Sequence, residues 1–263
     1  LFDKCELGTD CQDCGPRERY AKVPAVPKPK PSPPAVPPPP VLSSIGSGVA
    51  WNPFERAQDV FYVHRTYRSR LARSMNFTSG ALRTNLLGAW TAATAFWVDA
   101  KAKIRSTGRD SATVESTLAD AASKSDPPLC VFVLHNLPNR GCLSTATRTS
   151  EICCHYHTDG TCAVGVGFGC AVGLEEYRGD VVDPFAALLD QYSDRVPTAV
   201  ILEPGSLALL ALEDTRARCH GAVTTEAYTH GIGYAIDQLT RRAPQTALYL
   251  DAGHGGLLGW GPR

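Results

Sequence analysis

The chain has 263 residues, with 26 Lys+Arg balanced by 26 Asp+Glu and a hydrophobic fraction of 43%. That balance argues against nucleic acid or an acidic membrane surface as a partner, and the apolar content is enough for a real core. No apolar run reaches the roughly 18 residues of a membrane-spanning helix.

The chain begins at Leu1 without a basic and apolar leader, so we expect a start that is mature or clipped. Residues 1–20 carry Cys5, Cys11 and Cys14 and read as the tail of a small disulfide-rich module. A zinc site at Cys11-x-x-Cys14 is the rival, and it would need further ligands nearby. Residues 21–47 follow as a Pro-rich linker, with ten prolines between 24 and 40. Such a segment is stiff and extended, at about 3.1 Å per residue. From 48 to 263 the composition becomes globular.

Continuous apolar runs recur there at Val60–Val63, Ala95–Val98, Leu129–Leu134, Ala199–Leu202 and Ala247–Leu250. Helical patterns at Ser79–Thr94, Ala112–Ser123, Pro184–Ser193 and Thr224–Arg241 separate most of them. Alternation of this kind predicts an α/β fold with a parallel sheet or barrel. Five strands are too few to close a barrel, so the chain is expected to be cut at both ends.

The last run leads into a glycine-rich loop, with Asp251 at the strand end, His254 three residues on and Trp260 at the close. In barrels of alternating strand and helix, strand carboxyl ends carry the chemistry. A carboxylate and an imidazole can bond sugar hydroxyls, and an indole can stack on a pyranose face. The plainer alternative is that Asp251 caps a turn and the glycines let the chain bend.

Seven cysteines lie between 130 and 219. Their number, and the sequon Asn76-Phe-Thr78, suit an oxidising, extracellular setting. Cys153, Cys154, Cys162 and Cys170 frame His155, Tyr156, His157 and Asp159. A disulfide-pinned loop is the preferred reading, with a His/Cys zinc site as its alternative. Cys130 opens an apolar strand and fits a free, buried thiol.

Five ordered motifs then become specific. They are Asn52-Pro-Phe54, Phe96-Trp-Val-Asp99, Asn136-Leu-Pro-Asn-Arg-Gly-Cys142, Ile201-Leu-Glu-Pro-Gly-Ser-Leu207 and Leu250-Asp-Ala-Gly-His-Gly-Gly-Leu-Leu-Gly-Trp260. Together they resemble glycoside hydrolase family 6, the cellobiohydrolases and endoglucanases, over roughly 50–263. The resemblance implies a distorted TIM-like parallel β/α barrel, here truncated after about five strands. It also implies inverting hydrolysis of β-1,4-glucans without a cofactor or metal, in a secreted protein that is a monomer when complete. Cys142 and Cys219 match a family disulfide pair.

By the same resemblance, Trp97, Asp99, Arg140, Glu203, His254 and Trp260 keep family positions in the sugar cleft, and Asp251 keeps that of a cleft aspartate. Departures stand at the chemistry. Gly205 occupies the place of the general acid in the family's Glu-Pro-Asp-Ser-Leu, and Gly141 that of an auxiliary aspartate. His135 stands for a ring-distorting tyrosine and Leu257 for a platform tryptophan. The aspartate proposed as base in the family is expected beyond residue 263. Glycine donates no proton, so weak or absent activity is expected, with a non-catalytic glucan binder or a truncated fragment as the alternatives. Glu203 is not promoted to acid, because its place two residues from 205 can turn it elsewhere. His135 could protonate a leaving group, although a histidine beside a strand end is more often a satisfied structural group.

Overall fold

The computed structural model describes residues 61–105, 112–141, 150–163, 169–211 and 221–254. The Cys-rich tail, the Pro-rich linker, Cys142, Cys219, Leu257 and Trp260 all lie outside them.

Four parallel strands form one sheet: β1 (Phe96–Val98), β2 (Cys130–Leu134), β3 (Thr198–Leu202) and β4 (Ala247–Leu250). Their spatial order follows the chain, β1-β2-β3-β4. Helices make the crossovers a parallel sheet requires. They are α1 (Arg65–Met75) and α2 (Gly80–Gly88) before β1, and α3 (Val114–Ala122) between β1 and β2. Next, α4 (Ala171–Glu176) passes through a π-helical segment (Tyr177–Val182) into α5 (Asp183–Tyr192). After β3 come α6 (Ser206–Ala211) and α7 (Ala222–Arg242).

The expectation of a strand at Val60–Val63 is corrected. Val60 lies outside the described residues, and Phe61 makes only one parallel bridge, to Leu129. Tyr62 then donates its N–H to the Leu129 carbonyl at 2.9 Å. Beyond it His64 caps α1, its side chain accepting from the Thr66 N–H, so the backbone leaves the sheet at once.

Register sorts the side chains by parity. Phe96, Phe132, Val200 and Leu248 share one row, and the next row pairs Trp97, Val133, Ile201 and Tyr249. Alternate residues of a strand point to opposite faces. The first row belongs to the helix-covered core, where the Phe132 and Phe185 rings meet edge to face at 5.9 Å. In the second row Trp97 and Tyr249 are exposed. The sheet therefore has a face sealed by helices and a face that presents aromatics.

Candidate functional site

One step beyond the last paired row, each strand ends in an ionisable residue: Asp99 after β1, His135 after β2, Glu203 after β3 and Asp251 after β4. The ladder continues far enough to hold them in line. His135 N–H donates to the Val98 carbonyl at 3.0 Å, and Glu203 N–H to the Leu134 carbonyl at 2.7 Å. Four apolar strands of matched register thus deliver four polar groups to one edge, where α/β sheets place their ligands.

The four differ in surroundings. Asp99 is paired with Lys103, one helical turn on. Trp97 is 48% exposed, and its indole meets the His135 ring edge-on at 5.6 Å. His135 Nδ1 is buried and has no hydrogen-bond partner. Burial, then the Arg140 guanidinium, hold its imidazole below the ordinary range, while Asp99 pulls the other way. Arg140 in turn donates to the His135 carbonyl.

Glu203 is fully enclosed. Its Oε1 accepts from the Asn136 N–H at 2.9 Å and the Tyr177 hydroxyl at 2.8 Å, and its Oε2 from the Leu137 N–H at 3.4 Å. The same Oε2 lies 3.6 Å from His135 Nδ1. Its backbone is left-handed, with φ 43°, a conformation uncommon outside glycine. That turn takes the carboxyl to the tyrosine of the π segment. Desolvation by burial raises the Glu203 carboxyl to about 7, against the opposing effect of its hydrogen bonds and Arg140.

Gly205 and Gly141 are both left-handed, with φ 82° and 69°, and a Cβ built on either would meet nothing within 4 Å. Gly205 N–H donates to Asp251 Oδ2 at 2.6 Å. The backbone at 205 therefore engages the carboxylate at the end of β4. His254 is exposed.

The cysteine-rich segment contains two disulfides, Cys153–Cys162 and Cys154–Cys170, which leaves those sulfurs unable to serve a zinc ion. Cys130 is a free, buried thiol, pushed up to about 12 by burial. The pinned loop is tied to the strand ends. Glu151 accepts from the Asn136 side chain and from the Lys101 N–H, both at 2.7 Å. Asn139 Oδ1 accepts from the Cys154 N–H at 3.0 Å. Lys101 Nζ bonds Glu176, which also accepts from Tyr156. Sequence reasoning missed Glu151, Tyr177 and Asn136 as parts of this network. The signal available was the titratable residue immediately after each apolar run, which gives the row but not its second layer.

A parallel α/β sheet with carboxylates, imidazole and an exposed indole at its strand ends defines the class of α/β folds that carry their sites at strand carboxyl ends. The sequence profile of Glycosyl hydrolases family 6 matches residues 56–263, and the chain belongs to that family. It is similar to the probable 1,4-beta-D-glucan cellobiohydrolase C of Aspergillus clavatus, 31% identical over 223 residues, covering 84% of this chain and 42% of that protein. The 1,4-beta-D-glucan cellobiohydrolase C of Emericella nidulans is 32% identical over 222 residues, covering 82% and 43%. The chain thus spans less than half the length of these relatives. Among solved structures, the catalytic domain of CcCel6A complexed with p-nitrophenyl β-D-cellotrioside superposes with a TM-score of 0.62 at 28% identity, covering 81% of this chain and 52% of that one. Endoglucanase Cel6B from Humicola insolens gives 0.56 at 27% identity, covering 80% and 55%. The fold is accordingly the family's distorted α/β barrel, of which this chain spans about half.

Proposed function

We propose that the strand ends form the β-1,4-glucan site of a secreted glucanase that hydrolyses O-glycosidic bonds with inversion, and does so slowly because position 205 is glycine. The observation that carries this is the aligned row Asp99, His135, Glu203 and Asp251 beside the exposed Trp97, with Gly205 in that row's loop and bare of side chain. Trp97 offers a flat apolar face for a pyranose, and the Asp99 and Asp251 carboxylates offer acceptors for its hydroxyls. Inverting hydrolysis needs a proton at the glycosidic oxygen and a water on the opposite face. The two disulfides support an oxidising, extracellular compartment.

A non-catalytic glucan binder is the second reading, favoured by glycine at both 205 and 141. Calorimetric titration of the full chain with cellotetraose, followed by NMR of the product anomer, separates the two. Binding with slow release of α-anomer supports the hydrolase. Binding without any product supports the binder. No binding overturns both.

A further inference from the structure

The family acid is missing from position 205, yet a protonatable carboxyl lies in the same row of strand ends. Glu203 cannot reach a substrate itself, since its side chain is wholly enclosed. Its neighbour across the ladder can. The His135 side chain is partly exposed, borders Trp97 on the aromatic face, and turns an unpartnered Nδ1 toward Glu203 Oε2. The 3.6 Å gap is just too long for a hydrogen bond. Such catalytic contacts are often loose before substrate arrives. With Nδ1 turned to Glu203, Nε2 lies at the opposite side of the ring.

We propose that His135 is the proton donor of this chain, fed by Glu203 as a buried, positioning proton reservoir behind it. The proposal rests on the glucan-site reading above. The Glu203 O–H passes its proton to His135 Nδ1 while Nε2–H gives its own to the glycosidic oxygen. The bond from the anomeric carbon to that oxygen breaks, and its electron pair stays with the departing alcohol. Water bonds to the anomeric carbon from the opposite face and releases a proton to solvent; Nε2 then takes a proton from solvent and Nδ1–H returns its own to Glu203, which restores the pair.

Three features favour a relay over a structural contact. Oε1 is saturated by Asn136 N–H and Tyr177 hydroxyl, whereas Oε2 has one long bond, to Leu137 N–H, and faces the imidazole. The left-handed backbone that aims Glu203 inward is the kind of strain that clusters at functional sites. A carboxyl titrating near 7 is a suitable acid at neutral pH, and it meets the objection that the imidazole alone is too weak a base to stay charged there. The groups facing the pair are Arg140 and Tyr177 around Glu203, and Arg140 and Asp99 around His135. Arg140 opposes protonation of both, and Asp99 favours it on the ring.

The test uses the full chain and its His135→Gln, His135→Tyr and Glu203→Gln variants. Each is assayed from pH 4.5 to 8.5 on cellotetraose and on 2,4-dinitrophenyl β-cellobioside, whose leaving group needs no proton, with cellotetraose binding measured by calorimetry. For both His135 variants we expect kcat/KM on cellotetraose to fall about 10²-fold, with less than about threefold loss on the aryl glycoside. The unaltered chain should lose cellotetraose activity as pH rises through about 7. Glu203→Gln should move that loss to lower pH, since the imidazole then titrates alone. Where Glu203→Gln does not fold, the two His135 variants decide. An unchanged ratio between substrates in His135→Gln overturns the relay. Binding of cellotetraose without its hydrolysis by the unaltered chain also overturns the relay and leaves the glucan site standing. Absence of binding overturns both.

Discussion

The ends of β2 and β3 and the end of β4 carry the same kind of residue in the same row, yet they are built differently. His135 and Glu203 are backed by a second layer: Tyr177 from the π segment, the N–H groups of Asn136 and Leu137, and Glu151 from the disulfide-pinned loop. At the end of β4, Asp251 receives the backbone N–H of Gly205, and two of the residues around it are glycines in left-handed conformation, Gly205 and Gly253. Polar groups held by several hydrogen bonds from a second layer keep their geometry without a ligand. The comparison teaches that the groups at the ends of β2 and β3 are backed by a layer of side chains, whereas Asp251 meets a backbone donor beside left-handed glycines.

The largest expected effect tests whether the pinned loop maintains the β2 side. Replacing Cys154 and Cys170 together by Ala opens a bridge of sequence separation 16. The cost expected is about 3 kcal/mol, or a Tm lower by roughly 10 °C. Calorimetric melting checks it. If the loss is near zero, the loop is held by Glu151, Glu176 and their partners alone. The contrast between a stapled side and an open side then disappears.

Next comes Gly205→Asp, which would place a carboxyl in the loop after β3, beside Asp251. On cellotetraose kcat/KM should rise about 10²-fold, and on an aryl cellobioside by less than about tenfold. The nearby Asp251 carboxylate should hold the new acid in its protonated form, because like charges resist joint ionisation. At φ 82° the substitution is strained, though aspartate tolerates that region better than most residues, and it should cost about 1 kcal/mol of stability. A rate on cellotetraose that does not change would mean that the His135–Glu203 route supplies the proton in full and that glycine at 205 does not limit the rate.

How much of this could be read from the chain follows from which signals are local. The sheet was legible because parallel strands covered by helices are continuous apolar runs, and Phe96–Val98, Cys130–Leu134, Thr198–Leu202 and Ala247–Leu250 are such runs. The run from Val60 failed because His64 begins a helix directly behind it. The start of α5 was legible to within one residue, but the helical turns before it were not. Pro184 has no N–H and crowds the carbonyl four residues back, so it reads as a helix start. Here the helix runs through it, because the preceding turns widen to π-type hydrogen bonding at Tyr177–Val182. That widening is common at functional sites, and it places Tyr177 against Glu203. No sequence periodicity signals it. The ionisable residues directly after the apolar runs, Asp99, His135, Glu203 and Asp251, were legible singly, and Glu151 and Tyr177 behind them were not. What was not legible is that Glu203 turns inward, since a positive φ at a non-glycine is set by tertiary contacts.

A smaller effect is expected from Tyr177→Phe, which removes one of the three donors to the buried carboxyl. Loss of such a bond costs about 2 kcal/mol, and the vacated acceptor raises the Glu203 titration further. The pH dependence follows. Because the folded carboxyl titrates near 7 and the ordinary value is 4.5, the folded chain keeps a proton that the unfolded chain has released. This group's contribution to stability therefore falls as pH rises from about 4.5 to 7, and the fall should extend to higher pH in Tyr177→Phe. Urea unfolding across pH 4.5–8.5 measures it. A flat difference between the two proteins would mean the tyrosine does not set the β3 carboxyl.

The smallest effect concerns Trp97, the one exposed indole among the described residues of the site. Its ring stands on the aromatic face, outside the helix-covered core, and touches His135 only at an edge. Trp97→Ala should therefore leave the melting temperature within about 2 °C, because little buried area is lost. Cellotetraose affinity should weaken about fivefold, near 1 kcal/mol, as expected when one ring face is removed from a sugar. His135 would gain solvent at one edge, which eases the desolvation that now depresses its titration. The imidazole should move up toward its ordinary value, and histidine NMR titration reads that shift directly. Loss of stability without loss of affinity would place Trp97 with the packed side of the molecule and remove the sugar platform from the site.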